Sequence, residues 1–210
     1  MKTRDLQSNL AEVGFDPGPI DGVFGPKTAS AVARFQVACA LPGHNLVVDA
    51  IPGPRTSSAL KQVQKRGRLS PNFTVAELRT RTRRGGPKDG DCWVHRDLLH
   101  GLERLREAKG GRPLAIVSGF RDEAHNKRVG GASRSQHTYG HAPELNALQA
   151  RTGRIAPIAG RAADIPRGYV SAEELKGMRI FSGIGVKDGW ATHVDVRAGI
   201  PPSAPATWRY

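Results

Sequence analysis

The chain of 210 residues has few cysteines, few aromatic residues and no long apolar run. Two cysteines, Cys39 and Cys92, are too few for a disulfide framework, so we expect two free thiols. No run of about 18 apolar residues occurs, so no stable membrane insertion is expected. The first residues contain no apolar h-region, so we expect no secretory signal peptide.

Acidic residues are scarce beside basic ones: 19 Asp and Glu stand against 32 Lys and Arg, giving a net charge of +13. Such a charge attracts polyanions, which include nucleic acid, anionic lipid and acidic cell-wall polymers, and charge alone does not choose among them. Aromatic residues make up only 6% of the chain and offer little stacking surface for single-stranded nucleic acid.

An internal repeat lies in the first third of the chain. The segment DGVFGPKTASAVARFQ begins at Asp21, and DAIPGPRTSSALKQVQ begins 28 residues later at Asp49. Each copy places Gly-Pro before an apolar helical pattern, which is typical of a turn that leads into a helix. We therefore predict two short helical units, related by a pseudo-dyad, over roughly residues 4 to 66.

The segment VGFDPGPIDGVFGPKTASAVARFQ resembles the N-terminal peptidoglycan-binding domain family, a three-helix fold found on wall hydrolases. The matching residues are Gly14, Asp21, Gly22, Phe24, Gly25, Thr28, Ala31, Val32, Phe35 and Gln36. The resemblance implies a domain over residues 1–66 whose partner is bacterial peptidoglycan, and it argues against nucleic acid. The second copy departs from the family pattern, with DAIPG where the first copy has DGVFG.

A basic stretch follows, and we expect it to form a solvated linker over about residues 61–72. The second domain, residues 67–210, mixes helical and strand patterns. Leu98, Leu102 and Leu105 share a helical face, Ser171 and Glu174 form a capping box, and RPLAIVSGF and ATHVDV are typical of strands. We predict an α+β fold with a small antiparallel sheet.

Three segments carry polar side chains that could converge: SGFRD, GGASRSQHTYGHA and THVDV. A catalytic zinc site needs three protein ligands and one open position for water, and two histidines with one carboxylate meet that need. His193 lies on a predicted strand with Asp195 on the same face, where Asp195 could orient or deprotonate the water. Arg121 could bind a substrate carboxylate or stabilise an oxyanion. Spacing alone does not decide whether a metal site exists here, since most histidines are structural or exposed.

These segments, with GIGVKDGWATHVDVR near the end, are similar to the zinc D-Ala-D-Ala carboxypeptidase family and its relatives among phage endolysins. The resemblance implies that His137 and His193 bind Zn²⁺ and that Arg121 is the arginine of the family's Gly-Phe-Arg segment. It also implies hydrolysis of a peptide bond in the stem peptide of peptidoglycan.

Two carboxylates compete for the third ligand position of the family pattern Ser-x-His-x-x-Gly-x-Ala-x-Asp. Glu144 stands at the usual spacing from His137, whereas Asp164 comes 20 residues later. The segment GRAAD restores the end of the pattern and runs into a capped helix, so we predict Asp164 as the ligand and residues 141 to 160 as an insertion. A loop accommodates such an insertion at a cost of about 0.6 kcal/mol per doubling of its length.

The identity of the general base stays open at this point. Many relatives have an acid three residues before the last histidine, where this chain has Trp190. Asp195 is therefore the first candidate for the base and Asp188 the second. His141 also lies near the motif, and a structural role is favoured for it.

Together these features predict a two-domain, monomeric cell-wall lytic enzyme of the endolysin type. We expect it in the host cytoplasm without a signal peptide, and on the wall after release through a holin pore. The alternative is a peptidoglycan-binding protein whose second domain has lost its chemistry; a nucleic-acid binder is supported by charge alone. The scissile bond is open among D-Ala-D-Ala, L-Ala-D-Glu and a cross-link between stem peptides.

Overall fold

A computed structural model of the chain describes residues 1–78, 94–121, 123–138 and 160–209. These residues form seven helices and a four-stranded sheet. The helices are α1 (Thr3–Glu12), α2 (Pro26–Ala38), α3 (Pro54–Arg66), α4 (Val75–Leu78), α5 (Arg96–Ala108), α6 (Glu123–Arg128) and α7 (Ala172–Met178). Across the described ranges, no helix combines the length and the apolar character needed to cross a membrane.

The N-terminal repeat forms three helices, as predicted, and a buried glutamine organises each copy. The Gln7 side-chain amide donates to the Asp21 carboxylate and to the Val23 carbonyl, each at 3.0 Å. Its carbonyl oxygen accepts from the Gly22 N–H at 2.8 Å. Gln36 makes the equivalent set of bonds one repeat later, to Asp49, Ala50, Ile51 and Thr56. The repeated unit is therefore a helix with a buried glutamine and the loop that the glutamine holds.

The C-terminal half contains the sheet, with strands β1 (Ala162–Asp164), β2 (Gly183–Lys187), β3 (Trp190–Asp195) and β4 (Ala206–Arg209). The spatial order is β1-β3-β2-β4. Strand β3 pairs antiparallel with β1 and β2, whereas β4 pairs parallel with β2. The predicted α+β class with a small, mostly antiparallel sheet is confirmed, and β4 is the parallel exception.

One local prediction in this half is confirmed, and the predicted capping box is confirmed for its Ser171 bond alone, since the Glu174 carboxylate pairs with Lys109. Leu98, Leu102 and Leu105 are all buried on one face of α5. The Ser171 hydroxyl accepts a hydrogen bond from the Glu174 N–H at 3.1 Å and so caps α7. Both features arise from short-range sequence patterns, the helical period and the N-cap.

The predicted strand RPLAIVSGF, residues 112–120, is wrong. Leu114 and Ile116 are buried as expected, but the segment joins the sheet only at an isolated bridge between Ser118 and Asp164. Strand β1 ends at Asp164, and Pro166 lacks the backbone N–H that would extend the ladder towards Ile116. An apolar run of this length indicates burial and does not by itself indicate a strand.

The expected solvated linker over residues 61–72 also needs correction. Helix α3 extends to Arg66, and its Val63 is fully buried while its basic side chains are exposed. Leu69 and Ser70 are buried too, and the Leu69 carbonyl accepts from the Ala40 N–H at 2.9 Å. Most of the basic residues therefore lie on the solvent-exposed face of an amphipathic helix. The division of the chain at residue 66 stays a prediction.

Replacing Gln7 by Met should destabilise the chain, because the change leaves the Gly22 N–H and the Asp21 carboxylate without their buried partner. We expect the free energy of unfolding to fall by about 1–3 kcal/mol, measured by urea denaturation. The exposed Lys61→Met on α3 is the control and should leave stability nearly unchanged. Equal stability of the two variants would refute the conclusion that the hydrogen bonds of Gln7 hold the loop at residues 21–23 in place.

Candidate active site

His137 is buried in the loop after α6, and its two ring nitrogens have different partners. Nδ1 lies 2.7 Å from the Gly119 carbonyl, so this nitrogen carries the proton and donates it. Nε2 lies 3.1 Å from Asp164 Oδ1 and 3.1 Å from His193 Nδ1. The Gly119 carbonyl therefore orients the ring and leaves the Nε2 lone pair directed towards the other two side chains.

His193 on β3 has the opposite arrangement. Its Nε2 lies 3.3 Å from Asp195 Oδ2, while its Nδ1 lies 3.0 Å from Asp164 Oδ1. Burial acts to lower the pKa of His193, but hydrogen bonds with Asp164 and Asp195 outweigh it and raise the pKa. Asp195 thus holds the Nε2 proton and leaves Nδ1 facing His137.

Asp164 at the end of β1 completes the group, and the β1–β3 register sets it directly beside His193. Burial alone would raise the pKa of Asp164, but hydrogen bonds with His137 and His193 hold it well below its ordinary value. One donor atom from each of the three residues lies within 4.8 Å of the others. Three lone pairs converge here, so a proton or a cation must lie among them.

The donor set fits a zinc ion. Two imidazole nitrogens and one carboxylate oxygen form one of the ligand sets of catalytic zinc sites. Each histidine has a hydrogen-bond acceptor on its other nitrogen, which is the arrangement that orients metal ligands. A cleft of about 760 Å³ opens onto the group and leaves room for water and substrate.

Asp195 was predicted as the base, and its surroundings favour a different role. The carboxylate is fully buried and accepts from Arg197 Nε at 2.8 Å, with a second guanidinium contact at its other oxygen. Burial opposes ionisation, but the bonds from Arg197 and His193 lower the pKa of Asp195 to about 2. A carboxylate so strongly stabilised as an anion is a poor proton acceptor, and it contacts the nitrogen of His193 that faces away from Asp164. The geometry favours orientation of His193.

Two glycines on β2, which were not predicted as site residues, make room for Asp195 and His193. Gly183 pairs with Asp195, and a Cβ at Gly183 would overlap the Asp195 carboxylate. Gly185 pairs with His193 on one side and with Trp208 of β4 on the other. The motif Gly-Ile-Gly is the signal in the sequence, since glycine inside a strand marks close approach by another group.

Arg121 has an intramolecular partner. Its guanidinium contacts Asp164 Oδ2, and its Nε donates to the Ser118 hydroxyl at 2.8 Å. Arg121 therefore fixes the orientation of the Asp164 carboxylate. Its predicted contact with substrate stays a prediction, although the side chain does line the cleft.

The remaining candidates lie elsewhere or outside the described residues. Asp188 is exposed and pairs with Arg167 at 3.0 Å, and neither Asp188 nor Trp190 is among the described residues that line the cleft. His141 and Glu144 fall outside the described residues, as does Cys92. Cys39 is a buried free thiol, and burial raises its pKa.

Comparison with known proteins gives two family matches. Residues 71–174 match the peptidase M15 family, and residues 2–60 match the peptidoglycan binding domain family. The chain joins a peptidoglycan-binding domain to a peptidase M15 domain. His193, Asp195 and β4 lie beyond the matched M15 residues, and the β1–β3 register brings His193 beside Asp164.

Two relatives agree with this organisation. The chain is 40% identical over 132 residues to the zinc D-Ala-D-Ala carboxypeptidase of Streptomyces albus G. The aligned residues make up 61% of this chain and 50% of that protein. Over 68 residues it is 41% identical to the N-acetylmuramoyl-L-alanine amidase CwlL of Bacillus licheniformis, covering 30% of this chain and 18% of that protein. The chain thus spans half or less of the length of these relatives.

The prediction of zinc as the cofactor is confirmed by these findings together. The M15 match and the zinc-dependent relative agree with a described group of two histidines and one aspartate that could hold a metal ion.

Gly183→Ala should weaken zinc binding, because the added Cβ displaces the Asp195 carboxylate from His193. Loss of such an outer partner typically lowers metal affinity by about 10–100-fold. The affinity can be measured by competition with a chromophoric chelator. Gly177→Ala on α7 is the matched control, since a Cβ there meets nothing within 4 Å. Equal affinities in both variants would contradict the packing argument.

Proposed function

We propose that the chain is a zinc-dependent peptidase that hydrolyses a peptide bond in the stem peptides of peptidoglycan, with its N-terminal domain bound to the wall. The observation that carries the proposal is the convergence of His137, Asp164 and His193 at the floor of an open cleft. The union of an M15 domain with a peptidoglycan-binding domain supports the substrate.

In this proposal His137 Nε2, His193 Nδ1 and an Asp164 oxygen are the metal ligands. A zinc ion bound there would polarise the scissile carbonyl and lower the pKa of a bound water towards about 7. The Gly119 carbonyl and Asp195 hold the two imidazoles in the required tautomers, and Arg121 holds the Asp164 carboxylate. These three contacts keep the donor atoms in position before substrate arrives.

The proton acceptor must be a group other than a ligand. Among the described residues that line the cleft, Asp164 is the one carboxylate. Asp195, the first candidate, has its carboxylate occupied by Arg197 and His193. We therefore propose that Asp195 positions His193, and that Glu144 and His141 are the next residues to test as the base.

We further propose that the protein is a monomeric lysis enzyme of the endolysin type that is released from the host cytoplasm. The resemblance to endolysins and the net charge of +13, which favours an anionic wall, support it. The competing function is wall binding without hydrolysis. Zymography on purified wall with and without a chelator separates the two, because only the enzyme gives clearing that the chelator abolishes.

We propose that the wall-binding surface includes the exposed apolar side chains of the two repeat loops. Val23 is 64% exposed and Ile51 is 61% exposed, and each lies two residues after the loop aspartate that a buried glutamine holds. The two glutamines therefore hold their loops so that an equivalent apolar side chain is exposed in each copy of the repeat. Contiguous exposed apolar patches mark binding surfaces, and Ile20 and Phe24 near Val23 are also exposed.

Asp164→Ala should lose zinc and hydrolysis, as should His137→Ala, because each removes one of three ligands. Glu144→Ala should retain zinc. The measurements are metal content by mass spectrometry and release of muropeptides from purified wall. Retention of zinc in Asp164→Ala together with its loss in Glu144→Ala would reverse the assignment of the acid.

Asp195→Asn separates the two roles of that residue. If Asp195 positions His193, zinc affinity should fall by about 10–100-fold and activity at low zinc should fall with it. Turnover should then recover at saturating zinc. Unchanged zinc affinity with lost turnover would instead identify Asp195 as the base.

The double variant Val23→Ser with Ile51→Ser should bind purified wall more weakly than the parent, since it removes two exposed apolar groups. Pelleting with wall measures binding, and a His137→Ala background prevents hydrolysis during the assay. Val47→Ser, which removes an apolar side chain that is 72% exposed outside these loop positions, is the control. Equal loss in the control would argue against the repeat loops.

A further inference from the structure

We infer that Lys187 and Trp208 form a subsite beside the metal centre that binds a carboxylate-bearing residue of the stem peptide. The inference rests on the proposed function and adds to it which side of the cleft the anionic part of the substrate occupies. It also gives a function to the C-terminal strand β4.

The sheet register brings Trp208 to the metal centre. Asp164 pairs with His193, His193 with Gly185, and Gly185 with Trp208, so the four residues form one row across β1, β3, β2 and β4. Gly185 has no side chain to separate its neighbours. The Trp208 ring therefore reaches across it, and its centroid lies 5.1 Å from that of His193 with the planes tilted by 60°.

Lys187 belongs to the same strand as Gly185. It follows Gly185 by two residues, past a register shift between Gly185 and Val186, and pairs with Trp190 of β3. Lys187 and Trp208 both line the cleft that contains His137, Asp164 and His193. Lys187 is exposed, so its ammonium group is accessible from the cleft.

The basic side chains of the cleft fall into two groups, those paired with a carboxylate and those that are not. Arg121 contacts Asp164, and Arg197 contacts Asp195 while its guanidinium lies 5.0 Å from the centre of the Trp208 ring. Neither Lys187 nor Arg134 makes an ion pair with any residue in the described ranges, and Lys187 is the one of the two that lies on the strand next to Trp208. The cleft carries more basic than acidic groups. A cationic cleft that contains a lysine without an ion pair among the described residues attracts an anion.

An ammonium group and an indole ring that line one cleft define the ligand chemistry. A carboxylate would accept hydrogen bonds from Lys187, and the aliphatic part of the same residue would pack on Trp208. Stem peptides offer two sources of such a carboxylate: the C-terminal carboxylate of the peptide, and the free carboxylate of the D-Glu residue within it. The experiment distinguishes them by the substrate used.

The test compares KM and kcat of the zinc-loaded full chain on matched synthetic stem peptides. One pair differs by a C-terminal carboxylate or amide, and the other by D-Glu or its amide. Lys187→Met should raise KM about tenfold on the carboxylate peptide, in line with the loss of one charged hydrogen bond, and kcat should change little. The preference for carboxylate over amide should disappear in one pair, and that pair identifies the source.

Three further variants complete the test. Lys187→Arg should retain most of the preference, and Lys61→Met on α3 is the control for loss of a surface lysine. Trp208→Leu should raise KM, and Trp208→Phe should largely restore it. If the parent cleaves no stem peptide, the proposed function fails. If the parent cleaves but Lys187→Met keeps both its KM and its carboxylate preference, the subsite is overturned while the function stands.

Discussion

The convergence of three electron-rich atoms on one point is the constraint around which the C-terminal domain is arranged. Nε2 of His137, Nδ1 of His193 and Oδ1 of Asp164 lie 3.0–3.1 Å apart. Such a group repels itself unless a cation or proton lies within it, so its surroundings must hold the atoms together. The Gly119 carbonyl, Asp195 and Arg121 do this, each from outside the group.

The sheet supplies the frame that makes this arrangement possible. Asp164 and His193 are neighbours across β1 and β3, and β2 contributes glycines where side chains would collide with Asp195 or separate His193 from Trp208. The N-terminal domain uses the same principle with a different group. A buried glutamine in each repeat saturates the polar groups of a loop and thereby fixes the apolar side chains that the loop exposes.

Local patterns predicted much of this structure, and long-range pairings account for the rest. The motif around His137, the alternation at His193 and the segment GRAAD that ends at Asp164 are visible in the sequence because each lies within one segment. Alternation put Asp195 on the same face as His193 but could not tell which ring nitrogen it contacts. Trp208 reaches the site through a parallel pairing of β4 that no local pattern indicates. The bonds of Gln7 likewise join residues that are 14 positions apart in the sequence.

The most direct test of the account is a crystal structure of the zinc-loaded chain with anomalous data at the zinc edge. We expect one zinc ion bound by His137 Nε2, His193 Nδ1 and an Asp164 oxygen at about 2.0–2.2 Å, with Asp195 hydrogen-bonded to His193 and not to the metal. Coordination through His193 Nε2, or by Glu144 in place of Asp164, would contradict it.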